Sequence, residues 1–211
     1  MNEYQRPALP VLTFPDEKGD PIEYGSRWGA EPPEESYSRV SNPERFAPIH
    51  TVTDALILWL ERTFDVAAEH HEAVAGDLLR PEGVLRAVRL TPNAASAAPL
   101  TFVFTSLPGL QLHAGALHDF PFPVCSCDAC DVDIISLAEE LEWTVHTVVS
   151  GGYSEQFDSW PSRWVEYHLN EPGVAIRSGR ARVKDLPKHR AKMGRRTLPR
   201  SGQWEPWPTR T

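Results

Sequence analysis

Two stretches of the chain repeat apolar residues at helical spacing. The first predicts a helix over residues 52–70, with Thr51 as its N-cap, because its apolar residues fall on one face: Val52, Leu56, Trp59, Leu60 and Ala67. The second predicts a helix that ends at Gly151-Gly152, with Asp131 and Asp133 suited to cap its start. Its buried stripe comprises Ile134, Leu137, Ala138, Leu141, Val145, Val148 and Val149.

Other stretches alternate apolar and polar residues with the period of two that is typical of strands. Residues 100–106 and 110–116 alternate in this way, and Leu107-Pro108-Gly109 supplies a turn between them, so an antiparallel hairpin is predicted. Residues 164–169 and 174–183 form a second predicted pair around residues 170–173. Residues 84–90 are a weaker strand prediction.

This order of elements favours an α+β fold. We predict a mostly antiparallel sheet of about five strands with the two main helices on one face. The chain has 211 residues and 20 prolines, which predict extended, Pro-rich arms at both ends. We therefore expect an arm over residues 1–50 packed on the body, a single domain over residues 51–183, and a basic tail over residues 184–211 that contains Trp and Pro.

The charge is divided unevenly along the chain. Residues 1–176 hold 10 Lys+Arg and 27 Asp+Glu, whereas residues 177–211 hold 11 and 2, giving −17 and +9 within a total of −8. We favour a tail that lies across its own acidic body, with Trp204 and Trp207 as apolar anchors. A nucleic-acid partner is the second interpretation; arginines paired with the body's carboxylates would count against it.

All three cysteines of the chain lie within six residues, in the run Cys125-Ser126-Cys127-Asp128-Ala129-Cys130-Asp131. The C-x-x-C spacing brings two sulfurs onto one tight turn, and Cys125 adds a third, so a zinc site is predicted. A structural zinc needs four ligands. His118 is our first choice for the fourth, His113 the second, and Asp128 or Asp131 are local oxygen alternatives.

Three alternatives to a structural zinc stay open. A C-x-x-C at the start of a helix is also typical of thiol redox sites, although the acidic surroundings argue against one. The second alternative is that the cysteines are three ordinary thiols packed in a tight, buried turn. Three cysteines with an open position could instead hold a catalytic water on zinc, which would make the protein an enzyme. The sequence assigns no catalytic residue.

The length of the apolar runs and the N-terminal residues indicate where in the cell the protein is located. No apolar run approaches the roughly 20 residues that span a bilayer, and the N-terminus lacks the order of a signal peptide. We expect a soluble, cytoplasmic protein with no membrane partner, in a compartment where thiols stay reduced. Oligomeric state is not readable from the sequence.

Four strings of the sequence carry a resemblance to a known family: Tyr24-Gly25-Ser26-Arg27-Trp28-Gly29, Pro32-Pro33-Glu34-Glu35-Ser36-Tyr37, Pro43-Glu44-Arg45-Phe46 and the cysteine run. On the basis of these strings, the chain resembles a family of uncharacterised bacterial proteins, catalogued as a domain of unknown function. The resemblance covers nearly the whole chain. The resemblance implies a small soluble bacterial protein of unassigned role. It supplies no catalytic residue.

Overall fold

A five-stranded antiparallel sheet follows the first helix, α1 (Ile49–Thr63), in this computed structural model, which describes residues 3–158, 161 and 163–211. The strands pair in chain order as a meander. They are β1 (Val66–His70), β2 (Val84–Pro92), β3 (Leu100–Thr105), β4 (Gly109–Ala114) and β5 (His118–Phe122).

The core lies on one face of this sheet because side chains alternate along each strand. Leu100, Phe102 and Phe104 are fully buried in the main core, together with residues of α1. Val103 points to the opposite face, where it packs under a short 3-10 helix at Glu72–Asp77. The predicted hairpin is confirmed, since β3 pairs with β4 from Leu100↔Ala114 to Thr105↔Gly109.

A second antiparallel sheet has three strands. The chain passes through α2 (Ile134–Val149) to β6 (Tyr153–Phe157), β7 (Trp164–Glu171) and β8 (Ala175–Arg182), and then enters α3 (Lys188–Thr197). The pairing of β7 with β8 up to Glu171↔Ala175 confirms the second predicted strand pair. The α+β class with a mostly antiparallel sheet is confirmed, and the strands divide between two sheets.

Several predicted boundaries are wrong. The first helix begins at Ile49 after Pro48, so Thr51 lies inside it, and it ends at Thr63, after which residues 66–70 form β1 rather than a last helical turn. No strand is predicted at residues 118–122, where the structure has β5. A strand tolerates Pro121 there because β5 is an edge of the sheet, where a missing N–H breaks no ladder.

The C-terminal segment is anchored by its two tryptophans, as the sequence predicts. Trp204 and Trp207 are 1% and 3% exposed, and the Trp207 Nε1–H donates to the carbonyl oxygen of Ala98 at 2.8 Å. The backbone of Trp204 pairs with Tyr153. Among the described residues, no helix is long and apolar enough to cross a membrane.

Candidate metal centre

The three cysteines converge in the turn that joins β5 to α2. Their Sγ atoms all lie within 4.8 Å of one another. Cys125 Sγ is 3.2 Å from Cys127 Sγ, which in turn is 3.5 Å from Cys130 Sγ. All three are free thiols; Cys127 is buried, Cys125 is half-buried and Cys130 is exposed. The cluster therefore reaches solvent on the Cys130 side.

Local backbone geometry produces this convergence. Residues Asp128–Cys130 form a single 3-10 turn, in which the Cys130 amide donates to the Cys127 carbonyl oxygen at 3.2 Å. Asp131 then adopts a left-handed conformation with φ 48°, which turns the chain away from the cysteines and towards α2. Asp133 caps that helix by accepting from the amides of Ile135 and Ser136. Of the two predicted caps, Asp133 is confirmed and Asp131 is not.

The thiols influence one another because they are so close. The hydrogen bond from Cys125 lowers the pKa of Cys127, in spite of the opposing effect of burial. Hydrogen bonds with Cys125 and Cys127 raise the pKa of Cys130 to about 12. A thiolate is thus easier to form at Cys127 and harder to form at Cys130 than at an isolated cysteine, unless a cation is present.

Asp128, between the second and third cysteines, is the anchor for the N-terminal arm. Its carboxylate is fully buried and accepts from the Ser41 amide at 2.8 Å, the Ser41 hydroxyl at 2.7 Å and Arg39 Nε at 2.9 Å. Its own amide donates to the Arg39 carbonyl oxygen. Burial raises the pKa of Asp128, but the hydrogen bonds from Ser41 and Arg39 outweigh burial and leave it below the ordinary value.

The arm makes further contacts with the same turn. The Arg27 amide donates to Asp131 Oδ2 at 2.8 Å, and Trp28 Nε1 donates to the Asp128 carbonyl oxygen at 3.0 Å. Gly25, with φ 93°, approaches Asp133 so closely that a Cβ would lie 2.8 Å from its Oδ2. Parts of the strings that carry the family resemblance thus wrap around the cysteine turn.

The predicted histidine ligands lie elsewhere. His118 begins β5, and its Nδ1 is 2.8 Å from Glu155 Oε1, while its buried Nε2 has no partner. The strand carries the chain about 13 Å from His118 before the turn begins, at roughly 3.3 Å per residue. His113 Nδ1 is 2.6 Å from Asp119 Oδ1. Among the described residues, the structure brings together the three cysteines and neither histidine.

Of the nearby carboxylates, Asp128 is fully engaged in hydrogen bonds and Asp131 is engaged through one of its oxygens. Asp128 is used by the arm, and one oxygen of Asp131 by the Arg27 amide, whereas Asp131 Oδ1 is buried without a partner. A cleft of about 450 Å³ adjoins the turn, lined by Glu82, Val124 and Ser126 among others, but by none of the three cysteines. The described residues thus offer three converging sulfurs and, beside them, one unpartnered carboxylate oxygen, but no nitrogen ligand.

Sequence reasoning missed a buried polar network around Glu155. This carboxylate is fully buried and accepts from the Ala116 amide, the Leu117 amide and Trp204 Nε1, in addition to its contact with His118. No strand is predicted at residues 153–157, so nothing in the sequence reading placed Glu155 on one face with Tyr153 and Phe157. In the structure all three share a face of β6.

Taken together, the fold and the turn define an α+β protein with two antiparallel sheets and an arm fastened to a three-cysteine turn. The chain belongs to a family of unknown function, DUF6226, whose match covers residues 10–211. The match agrees with the resemblance predicted from the sequence strings. No curated protein and no solved structure shows significant similarity to the chain.

Proposed function

We propose that Cys125, Cys127 and Cys130 bind one zinc ion, and that the ion holds the cysteine turn in the shape that the N-terminal arm recognises. The observation that carries the proposal is the convergence of three sulfurs within 4.8 Å. Tetrahedral zinc with Zn–S bonds of about 2.3 Å places its sulfurs about 3.8 Å apart. The separations of 3.2 and 3.5 Å need only a small expansion to reach that value.

The donor set favours zinc over harder cations. Thiolates are soft ligands that select zinc, Cu(I) or iron–sulfur clusters, whereas calcium and magnesium take oxygen. A bound cation would also offset the charge of a thiolate at Cys130, whose formation the neighbouring thiols oppose. The proposal requires a reducing compartment, in agreement with the cytoplasmic location expected from the sequence.

The fourth position would be filled by water or by Asp131, whose buried Oδ1 has no partner but lies outside the group of converging sulfurs. His118, the sequence's first choice, would have to leave Glu155 and move along the length of β5 to reach the cluster. Asp128 would have to release Ser41 and Arg39. Both moves would uncover buried charge, which costs several kcal/mol.

A structural role is favoured over a catalytic one by the surroundings of the sulfurs. Catalysis by a zinc-bound water needs an acid or base that reaches the water. The carboxylates of this turn instead receive hydrogen bonds from the arm, and the adjacent cleft is not lined by the cysteines. The same contacts give the ion a structural task, since they fix residues 27–41 against residues 128–131.

Elemental analysis of protein purified without added metal tests the proposal. We expect about one zinc per chain in the wild type and in Ser126→Ala, a matched control in the same turn, and almost none in Cys127→Ser. Hydrogen exchange should show lost protection at residues 27–45 in Cys127→Ser but not in the control. A wild-type protein that folds without metal, and whose stability and exchange do not respond to added zinc, would refute the proposal.

His118→Gln addresses the fourth ligand separately. If the three cysteines suffice, this variant keeps its zinc even where its stability falls, because the lost contact is with Glu155. Loss of zinc in His118→Gln, with full occupancy in Ser126→Ala, would instead support the ligand set predicted from the sequence. Cobalt substitution then reports the number of thiolates by its charge-transfer absorption.

A further inference from the structure

The C-terminal basic segment, residues 177–211, leaves most of its charge unpaired. In the described part of the chain, one ion pair joins this segment to the acidic body, between Arg177 Nη1 and Glu140 Oε1. The segment nevertheless carries 11 Lys+Arg against 2 Asp+Glu, beside a body with a net charge of −17. The pairing of β8 with β7 and the buried Trp204 and Trp207 therefore hold this segment in place, and its exposed cations are available to another partner.

Several of these cations gather at one end of the three-stranded sheet. There β7 begins and β8 ends, with Trp164 directly opposite Arg182 in the register. The guanidinium carbons of Arg180 and Arg182 lie 4.6 and 5.2 Å from the centre of the Trp164 indole. These residues share the solvent-facing side of the sheet, because Val165 and Leu169 point to the core on the other side.

A cleft of about 560 Å³ opens at this end, and we call it the Trp164 cleft. Among the described residues, those that line it are Arg163, Trp164, Arg182, Val183 and Lys184, and none of these is acidic. The side chains of Arg163, Arg182 and Lys184 are exposed, and Trp164 is half-buried. Across the sheet Arg180 faces Glu166, so the argument rests on the other three cations.

We propose that the Trp164 cleft binds single-stranded nucleic acid. Three cations attract phosphates, and an unpaired base stacks on the part of the Trp164 indole that Arg180 and Arg182 leave exposed. The cleft volume is within the range of sites that hold a ligand the size of a nucleotide. A duplex buries the faces of its bases and would leave the indole unused. A flat anionic bilayer would meet the rim of the cleft but not enter it.

The acidic body does not prevent such binding. The Debye length is about 8 Å at physiological ionic strength, so distant carboxylates are largely screened from a phosphate in the cleft. Beyond the cleft, the bound nucleic acid can follow the exposed Lys188 and Lys192 of α3. That helix reaches the same end of the sheet, where the Arg195 guanidinium carbon lies 3.9 Å from the centre of the Phe157 ring.

Fluorescence anisotropy with labelled U12 and dT12 strands over a range of salt concentrations tests the proposal. With three phosphate contacts, the log–log salt slope should be about −2. Arg163→Ala/Lys184→Ala should weaken binding at least about ten-fold and reduce the slope by about 1.4. Lys18→Ala/Arg62→Ala, which removes two exposed charges elsewhere, should leave both quantities unchanged. A difference in affinity between U12 and dT12 shows whether the cleft prefers RNA or DNA.

Trp164→Leu separates stacking from charge. It should weaken U12 binding about ten-fold, as expected for loss of one base–aromatic stack, and leave heparin, a polyanion without bases, within two-fold. Absence of U12 binding at low salt would overturn the proposal. It would also be overturned if a duplex bound as tightly as U12, or if Lys18→Ala/Arg62→Ala lost as much affinity as Arg163→Ala/Lys184→Ala. Binding to anionic vesicles without binding to U12 would overturn it as well. Cys127→Ser should bind U12 normally where it is folded, so the outcome is independent of the metal.

Discussion

The indole Nε1–H of Trp204 donates a hydrogen bond to Oε2 of Glu155 across 3.1 Å, and both side chains are buried. The same carboxylate accepts the amides of Ala116 and Leu117, each at 2.9 Å, and contacts His118 Nδ1 at 2.8 Å. Four donors therefore surround two oxygens. This arrangement ties the C-terminal segment and β6 to the turn between β4 and β5, and it stabilises a charge that burial alone would exclude.

Trp204→Phe should destabilise the protein more than Trp207→Phe. The first substitution removes a hydrogen bond to a charged acceptor, worth about 1.5–3 kcal/mol, whereas the second removes one to the Ala98 carbonyl oxygen, worth about 0.5–1.5 kcal/mol. Both substitutions replace a buried indole with a phenyl ring, so most of the packing cost cancels when the two stability losses are compared. Urea unfolding at neutral pH measures the difference, and an equal or larger loss in Trp207→Phe would contradict it.

Acid should weaken the fold through Glu155. Burial raises the pKa of Glu155, but the hydrogen bond and the charge of His118, together with the Ala116 amide, outweigh burial and lower the pKa below 4.5. A carboxyl with a lowered pKa contributes stability above its unfolded pKa, and this contribution is lost as the pH falls through the folded pKa. We therefore expect the free energy of unfolding to decrease below about pH 4.5.

Glu155→Gln tests this dependence. The variant should be less stable at pH 7, by about 3 kcal/mol, because an amide cannot serve all four donors. Its further loss between pH 5 and pH 3 should be smaller than that of the wild type. Some acid dependence will remain, since the pKa of Asp128 is also lowered. Identical acid dependence in both proteins would show that Glu155 does not contribute.

The sequence predicted the elements whose residues repeat with one clear period. The stripe from Leu137 to Val148 and the alternation of Leu100, Phe102 and Phe104 follow directly from burial of one face, and the structure confirms both. β5 was missed because Pro121 looks like a strand breaker unless the strand is known to be an edge. α3 was missed because it is polar on nearly all sides, and its start after Pro187 has no side-chain cap.

The candidate site could likewise be predicted only in part from the sequence. The spacing of Cys125, Cys127 and Cys130 alone indicated that their sulfurs converge. The contacts that surround them were not predictable, because Asp128 and Ser41 are 87 residues apart along the chain. Contacts at that separation depend on the tertiary fold. For the same reason, proximity in sequence favoured His118 as a ligand, although the direction of β5 takes it away from the turn.

Asp128→Asn should release the N-terminal arm. Breaking one partner of a buried, hydrogen-bonded charge costs about 3–5 kcal/mol, and Asn cannot accept from Ser41 and Arg39 as the carboxylate does. Hydrogen exchange should increase at residues 27–45. Asp131→Asn loses only the charge on the acceptor of the Arg27 amide, so its effect should be smaller. Equal exchange in Asp128→Asn and the wild type would contradict the assignment of Asp128 as the anchor.

Gly115→Ala should be among the most damaging single-methyl changes in the protein. Gly115 has φ +66°, and a Cβ there would overlap Glu155 Oε2 and lie 3.0 Å from Trp204 Nε1. Neither group can move without losing a buried hydrogen bond. The substitution therefore adds a steric and polar cost to the cost of the left-handed backbone.

Gly173→Ala is the matched control for Gly115→Ala, because Gly173 has φ +79° and a Cβ added there would meet nothing within 4 Å. The control should cost only about 1–2 kcal/mol for the left-handed backbone. Gly115→Ala should cost at least about 2 kcal/mol more by urea unfolding. Equal losses would mean that the Glu155 network adjusts to the added carbon, which would remove the basis for expecting a rigid connection between the C-terminal segment and the turn.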